Sequence, residues 1–327
     1  MITTMKQTAR KYLTKCFYIV IFLLYSADSF SQELLKCDSA HILPPPIIAS
    51  RDTAISGSRV VASIAGIAGA ITALHIYQYH AWWANQRTTF HVIEDPSYQA
   101  DFDKAGHIFG AYYSSHFFDE AFRWTGMDSA QSTLFGALSG AIWEYYVEIE
   151  DGFARDWGFS RGDAKADLVG ATFYLLRNRV PFLRNLNYKW SYVPSEKYLQ
   201  NRPDIPGQTL NFIEDYGGQS YYLTADIHGM LPINLKSYWP SWLNLAIGVG
   251  GYDIDTYIKT DNPFILRKKA WYILLDYDIE KIFPESDIPI LNFLRRTFNY
   301  WHFPAPAYRF YPNPRFFILF PFQMSIG

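Results

Sequence analysis

Near residue 180 the chain changes its hydrophobic period, and that change limits the folds open to it. Before this point small and apolar residues recur every three to four positions; beyond it they alternate. In "SYYLTADIHG", Tyr221, Leu223, Ala225 and Ile227 alternate with Tyr222, Thr224, Asp226 and His228. "LNLAIGVGGYD" sets Leu243, Leu245, Ile247 and Val249 against Asn244, Ala246, Gly248 and Gly250. In "AWYILLDYDIE", Trp271, Ile273, Leu275, Tyr277 and Ile279 share a face opposite Asp276, Asp278 and Glu280. Arg315 to Phe320 supplies a fourth run. These are the marks of half-exposed antiparallel strands. Four or five of them fall short of the roughly eight that a closed outer-membrane barrel needs, so a small curved sheet is expected. The proline-punctuated stretch "HFPAPAYRFYPNP" reads as an irregular crossing before the last strand, because proline cannot donate to a ladder.

The helical part begins at Gly57. Val60 to Tyr77 runs for eighteen residues without a formal charge, a length between that of a buried helix and a membrane span. Three more helices are expected near 102–124, 128–150 and 161–178. The stretch Thr125 to Ser129 ends one helix and caps the next. The fold class is therefore α+β: a four-helix-bundle-like domain over 57–185, then an antiparallel, aromatic-rich β region over 186–327. His116, Asp119 and Glu120 are expected at a solvated helix end, and His75 and His80 at a helix end or interface.

The first 31 residues read as an export signal: Lys6, Arg10, Lys11 and Lys15 precede the ten-residue apolar run Cys16 to Tyr25, and Ser29 and Ser31 offer a cleavage site. Residues 32–56, with Pro44, Pro45 and Pro46, form a linker. Cleavage removes four cations and Asp28, taking the formal charge from −2 to −5, which speaks against nucleic acid as a partner. Cys37 alone then remains, so no internal disulfide forms. Neither cysteine directly follows the apolar run, where a lipidated one would stand. The protein is expected to be exported to the cell envelope, periplasmic or outer-membrane associated. Aromatic residues make up 18% of the chain, and its many Tyr and Trp suit a boundary between apolar and wet surroundings.

Polar groups on the helices follow stripes. Asp103, His107, Gly110 and Ser114 fall on one face; Gly136, Gly140, Glu144 and Glu148 on the next; Asp163, Asp167 and Gly170 on the fourth helix. Small residues would draw the backbones together, and the ionisable ones would converge. Ser160 and Asp163 have the form of a capping box, and Lys104 is placed to pair with Asp163, Asp167 or Glu144. Such a cluster is either a charge lock within the bundle or a site of mixed oxygen and nitrogen metal ligands, with His107 as an alternative general base. The Glu-x-x-His signature of helical di-metal sites is absent, as are nucleophile-elbow, Walker and Gly-x-Gly-x-x-Gly patterns. The sequence names no cofactor.

Asp103-Lys104-x-x-His107, Glu144 in the next helix, and Ser160-x-x-Asp163-x-x-x-Asp167-x-x-Gly170-Ala171 together resemble the YfiM-like envelope proteins of unknown function. They are more distantly similar to the VanZ-like membrane proteins, from which the chain departs in carrying Asp167 for a usual Asn and Trp157 where an Arg is usual before Ser160. The resemblance covers about 57–180 and implies a helical, membrane-associated envelope domain without an assigned reaction. The expected function is that of a non-enzymatic structural or binding protein of the envelope, with membrane lipid or envelope proteins as partners. The alternative is an enzyme on a lipid or cell-wall precursor, using His107 and the carboxylates. The polar-cluster candidates are Asp103, Lys104, His107, Glu144, Ser160, Asp163 and Asp167.

Overall fold

The computed structural model describes residues 55–94, 101–200, 211–252, 268–322 and 324–325. The export signal, all but the end of the linker, and both cysteines lie outside them. The chain falls into two compact units: residues up to Ile93 with Ser114–Phe159, and Glu94–Tyr113 with Ser160–Gly327.

In the first unit, helix α1 (Gly57–Gln78) runs into a π-helical turn, Tyr79–Trp83. Helix α2 (Phe102–Thr125) gives this unit its second half, and α3 (Ser129–Asp151) completes it. Asp128 caps α3 by accepting from the amides of Ala130 and Gln131, as the turn chemistry of the sequence requires. Ile71, Trp83, Phe118, Trp143, Val147 and Ala154 form the core. His75 is buried there against Tyr146, 2.8 Å from its hydroxyl. Asp119 and His116 are also buried, which corrects the expectation of a solvated helix end. The reason is Gly136: a Cβ there would stand 2.8 Å from the Asp119 backbone, so only glycine lets α3 come this close. Asp119 is then neutralised by a two-pronged ion pair from Arg123 and a hydrogen bond from Thr133. Gly57–Trp83 is long and apolar enough to cross a membrane, and only 17% of its most apolar window is buried.

The second unit holds the first half of α2, helix α4 (Arg161–Arg179) and a seven-stranded sheet. Its strands are β3 (Leu186–Tyr192), β4 (Gln219–Ala225), β5 (Leu243–Tyr252), β6 (Lys268–Tyr277), β7 (Ala305–Tyr311), β8 (Arg315–Phe320) and the two-residue β9 (Met324–Ser325). They pair in sequence order, every neighbour antiparallel. Two short strands outside this sheet, β1 (Val92–Ile93) and β2 (Phe159–Ser160), pair with each other. The sheet is larger than the four or five strands expected. β7 lies in the stretch read as an irregular crossing; Pro306 is accommodated because the register shifts between Ala305 and Ala307, and a bulge is where a strand tolerates proline.

The two faces of the sheet have opposite character. Asn187, Thr224, Ala246, Leu274, Ala307 and Phe317 pair across six strands in one buried row. Next to it, Lys189, Tyr222, Gly248 and Tyr272 pair in another. Gly248 is required under the Tyr222 ring, since a Cβ would stand 2.6 Å from it. The opposite face carries the row Leu223, Ile247, Ile273, Tyr308 and Phe316, every member exposed. The inner face therefore mixes polar and charged groups with a core of Tyr222, Tyr272, Leu274, Phe317 and Phe320, while the outer face carries large apolar side chains into the surroundings. Phe109 of α2 packs on this outer face against Tyr188, Trp190 and Tyr221.

Candidate functional site

The cluster is built by the first turns of two helices. Asp103, Lys104 and His107 lie on one face of α2, and α4 starts at Ser160, whose Oγ accepts from the Asp163 amide at 3.1 Å. Gly170 sets the spacing: a Cβ there would collide with the carbonyl oxygen of Ile108, so α4 meets α2 backbone to side-chain-free backbone. Gly162 likewise leaves room for the Lys104 side chain, whose Cε a Cβ would meet at 2.9 Å.

Lys104 Nζ bridges two carboxylates, 2.8 Å from Asp163 Oδ1 and 3.2 Å from Asp103 Oδ2. His107 Nδ1 is 3.0 Å from Asp167 Oδ1. The other imidazole nitrogen, Nε2, is 3.9 Å from both Asp103 Oδ1 and Asp163 Oδ1. Tyr216 donates to Asp103 Oδ1 at 2.8 Å and fixes that carboxylate. Asp163 and Asp167 are buried, whereas His107 and Lys104 keep 18% and 17% of their side chains exposed. Burial works against a charged imidazole, but Asp167 foremost, then Asp103 and Asp163, outweigh it and hold the His107 pKa well above its ordinary 6.5. Burial also pushes the Asp163 and Asp167 carboxyls up, with Asp103 adding to the effect at Asp163. Within the second unit, the group thus gathers three carboxylates around one ammonium and one readily protonated imidazole.

Six of the seven candidates, Asp103, Lys104, His107, Ser160, Asp163 and Asp167, are together in the second unit. Glu144 belongs to the first unit, where it accepts a hydrogen bond from Ser114 at 3.0 Å. Helical spacing put Glu144 on a polar stripe, but a stripe does not say which neighbour it meets. Tyr216 was missed, since it sits in a short turn far along the chain with no periodic signal.

Also missed was a second buried set inside the sheet. Asp276 accepts from Lys189 at 2.8 Å and lies 2.9 Å from His302 Nδ1, and all three side chains are fully buried. Lys189 also donates to the Tyr277 carbonyl and Asn299 Oδ1, at 2.7 and 3.2 Å. Its sequence signals were the alternation Asn187, Lys189, Ser191 in β3 and the place of Asp276 on the polar face of β6.

These features define an α+β protein in which a His–Asp cluster on helix starts accompanies a sheet with an apolar outer face. Residues 92–179 match the model of a family described as "predicted periplasmic lipoprotein (DUF2279)". The match covers both helix starts of the cluster and agrees with the expected export to the cell envelope. It carries neither the YfiM-like name nor a likeness to the VanZ-like proteins. No curated protein and no solved structure gives a match to the chain.

Proposed function

We propose that this is a membrane-seated envelope protein whose sheet faces lipid, a structural or binding component in which the buried polar groups hold the fold together. The exposed apolar face of the sheet carries this reading. In water, a one-sided antiparallel sheet buries its apolar face and exposes its polar one; against lipid the order is reversed. On β5, Leu243, Leu245, Ile247 and Val249 face out beside Tyr277, Leu275, Ile273 and Trp271 of β6, with no Asp, Glu, Lys or Arg among them. At about 3.4 Å per residue this band is roughly 20 Å along the strand, against a lipid-facing band of about 25 Å in outer-membrane proteins.

A helix in the same unit supports the reading. In α5 (Pro289–Phe298), Ile290, Leu291, Leu294 and Phe298 are exposed, while Arg295 donates inward to the carbonyls of Glu280 and Phe283. The exposed apolar length of α1 is a further candidate for lipid contact. Nitroxide labels at Ile247, Ile273 and Phe316 in lipid vesicles test the proposal. The expected result is strong relaxation by oxygen and weak relaxation by a water-soluble nickel chelate; equal access of the chelate would overturn it.

One observation favours the enzyme alternative: Asp167 orients His107 from Nδ1 and leaves Nε2 facing Asp103 and Asp163, the arrangement of an acid/base group. A His107→Ala variant present in normal amount but without function in the cell would favour that reading.

A further inference from the structure

We propose that Asp103, His107 and Asp163 bind a divalent metal ion, with Asp167 as the outer carboxylate that orients the imidazole. One ligand atom from each of the three residues lies within 4.8 Å of the others. Nε2 stands 3.9 Å from a carboxylate oxygen on either side. A point equidistant from such atoms is about 2.3–2.5 Å from each, within small side-chain adjustments of the ~2.0–2.6 Å that Zn²⁺ and Ca²⁺ take from nitrogen and oxygen. Two carboxylates and one imidazole form a donor set suited to first-row divalent ions such as Mn²⁺ or Zn²⁺.

The surroundings fit a metal centre. Histidine ligands characteristically give their other ring nitrogen to a carboxylate, which fixes the tautomer; Asp167 Oδ1 is 3.0 Å from His107 Nδ1. Tyr216 plays the same part for Asp103. A second observation is independent of these contacts. Asp163 is 4% exposed, yet its Oδ1, one of the proposed ligand atoms, has no directed hydrogen bond among the described residues, only the 2.8 Å charge contact with Lys104. A buried carboxylate oxygen left in this way calls for a further positive or donating group in the cluster. Charge points the same way: Asp103, Asp163 and Asp167 set three carboxylates against one ammonium and one imidazole, which leaves a net negative charge whenever the imidazole is neutral. An incoming divalent ion would take the place of the ammonium, which is carried on a flexible stem.

This inference does not depend on where the sheet sits, and its test needs no membrane. The full chain, untagged and in detergent, is stripped with chelator and titrated calorimetrically with Mn²⁺ alone and with Zn²⁺ alone. One ion per chain is expected for at least one of the two metals. His107→Ala and Asp163→Asn should each weaken binding at least tenfold, and Asp167→Asn roughly 10- to 100-fold, as outer carboxylates do. Lys104→Met should tighten binding, because it removes the competing ammonium; this gain cannot come from misfolding. Absence of binding in the wild-type chain, or equal binding in folded His107→Ala, would overturn the proposal.

Discussion

At the scale of single residues, the fold depends on charges placed where only their partners make them tolerable. Lys189, Asp276 and His302 are fully buried inside the sheet, and an ion is kept in such a place when its pairing offsets lost hydration. Lys189→Met leaves Asp276 uncompensated and should cost about 3–5 kcal/mol, whereas Lys189→Met with Asp276→Leu should recover much of it. Urea unfolding of the two variants in detergent checks this, and a double variant no better than the single would contradict it. Gly170 is the steric counterpart. Gly170→Ala pushes a methyl into the Ile108 carbonyl and should cost about 1–3 kcal/mol by overpacking, seen as a lower melting temperature with Asp163 and Asp167 still present. Lys189 did not stand out in the sequence, because it is one polar residue in an alternating strand; Gly170 did, at the end of the Asp163–Asp167 stripe where a small residue was expected to draw backbones together.

At the scale of elements, the helices were legible nearly to their ends. The expected 102–124, 128–150 and 161–178 became Phe102–Thr125, Ser129–Asp151 and Arg161–Arg179, because caps and periodicity are local properties. The Ser160 cap is one of them, and Ser160→Ala should destabilise α4 by about 1 kcal/mol; circular dichroism melting should record a small loss and the Ser160→Asp exchange little or none. Strands were less legible. β3, with its sequence "LNYKWSY", and β7, with two prolines nearby, lack the clean apolar alternation that marks β5 and β6. They are strands because neighbours supply ladder partners, Thr224 for Asn187 and Leu274 for Ala307. Pairing is nonlocal, and strand propensity bends to it.

At the scale of the whole molecule, the distinction that matters is which side of the sheet meets which surroundings. Ile247→Lys or Ile273→Lys should cost about 2–4 kcal/mol if these positions lie near the middle of a bilayer, but no more than about 0.5 kcal/mol on a water-exposed surface. Unfolding in vesicles, compared with Gln131→Lys at an exposed position of α3 as control, separates the two. By itself, the sequence determined the envelope address, the α+β order and the helix limits, since each rests on composition or on contacts within a few positions. Tertiary structure alone decided that Asp103, His107, Asp163 and Asp167 meet while Glu144 pairs with Ser114. It also decided that Lys189, Asp276 and His302 come together from three distant segments. The alternation along β5 and β6 was plain in the chain, yet alternation is symmetric: it separates two faces without saying which is buried. Only the packing of strands and helices turned the face of Lys189, Tyr222, Leu274 and Asp276 inward and left Leu223, Ile247, Ile273 and Phe316 outside.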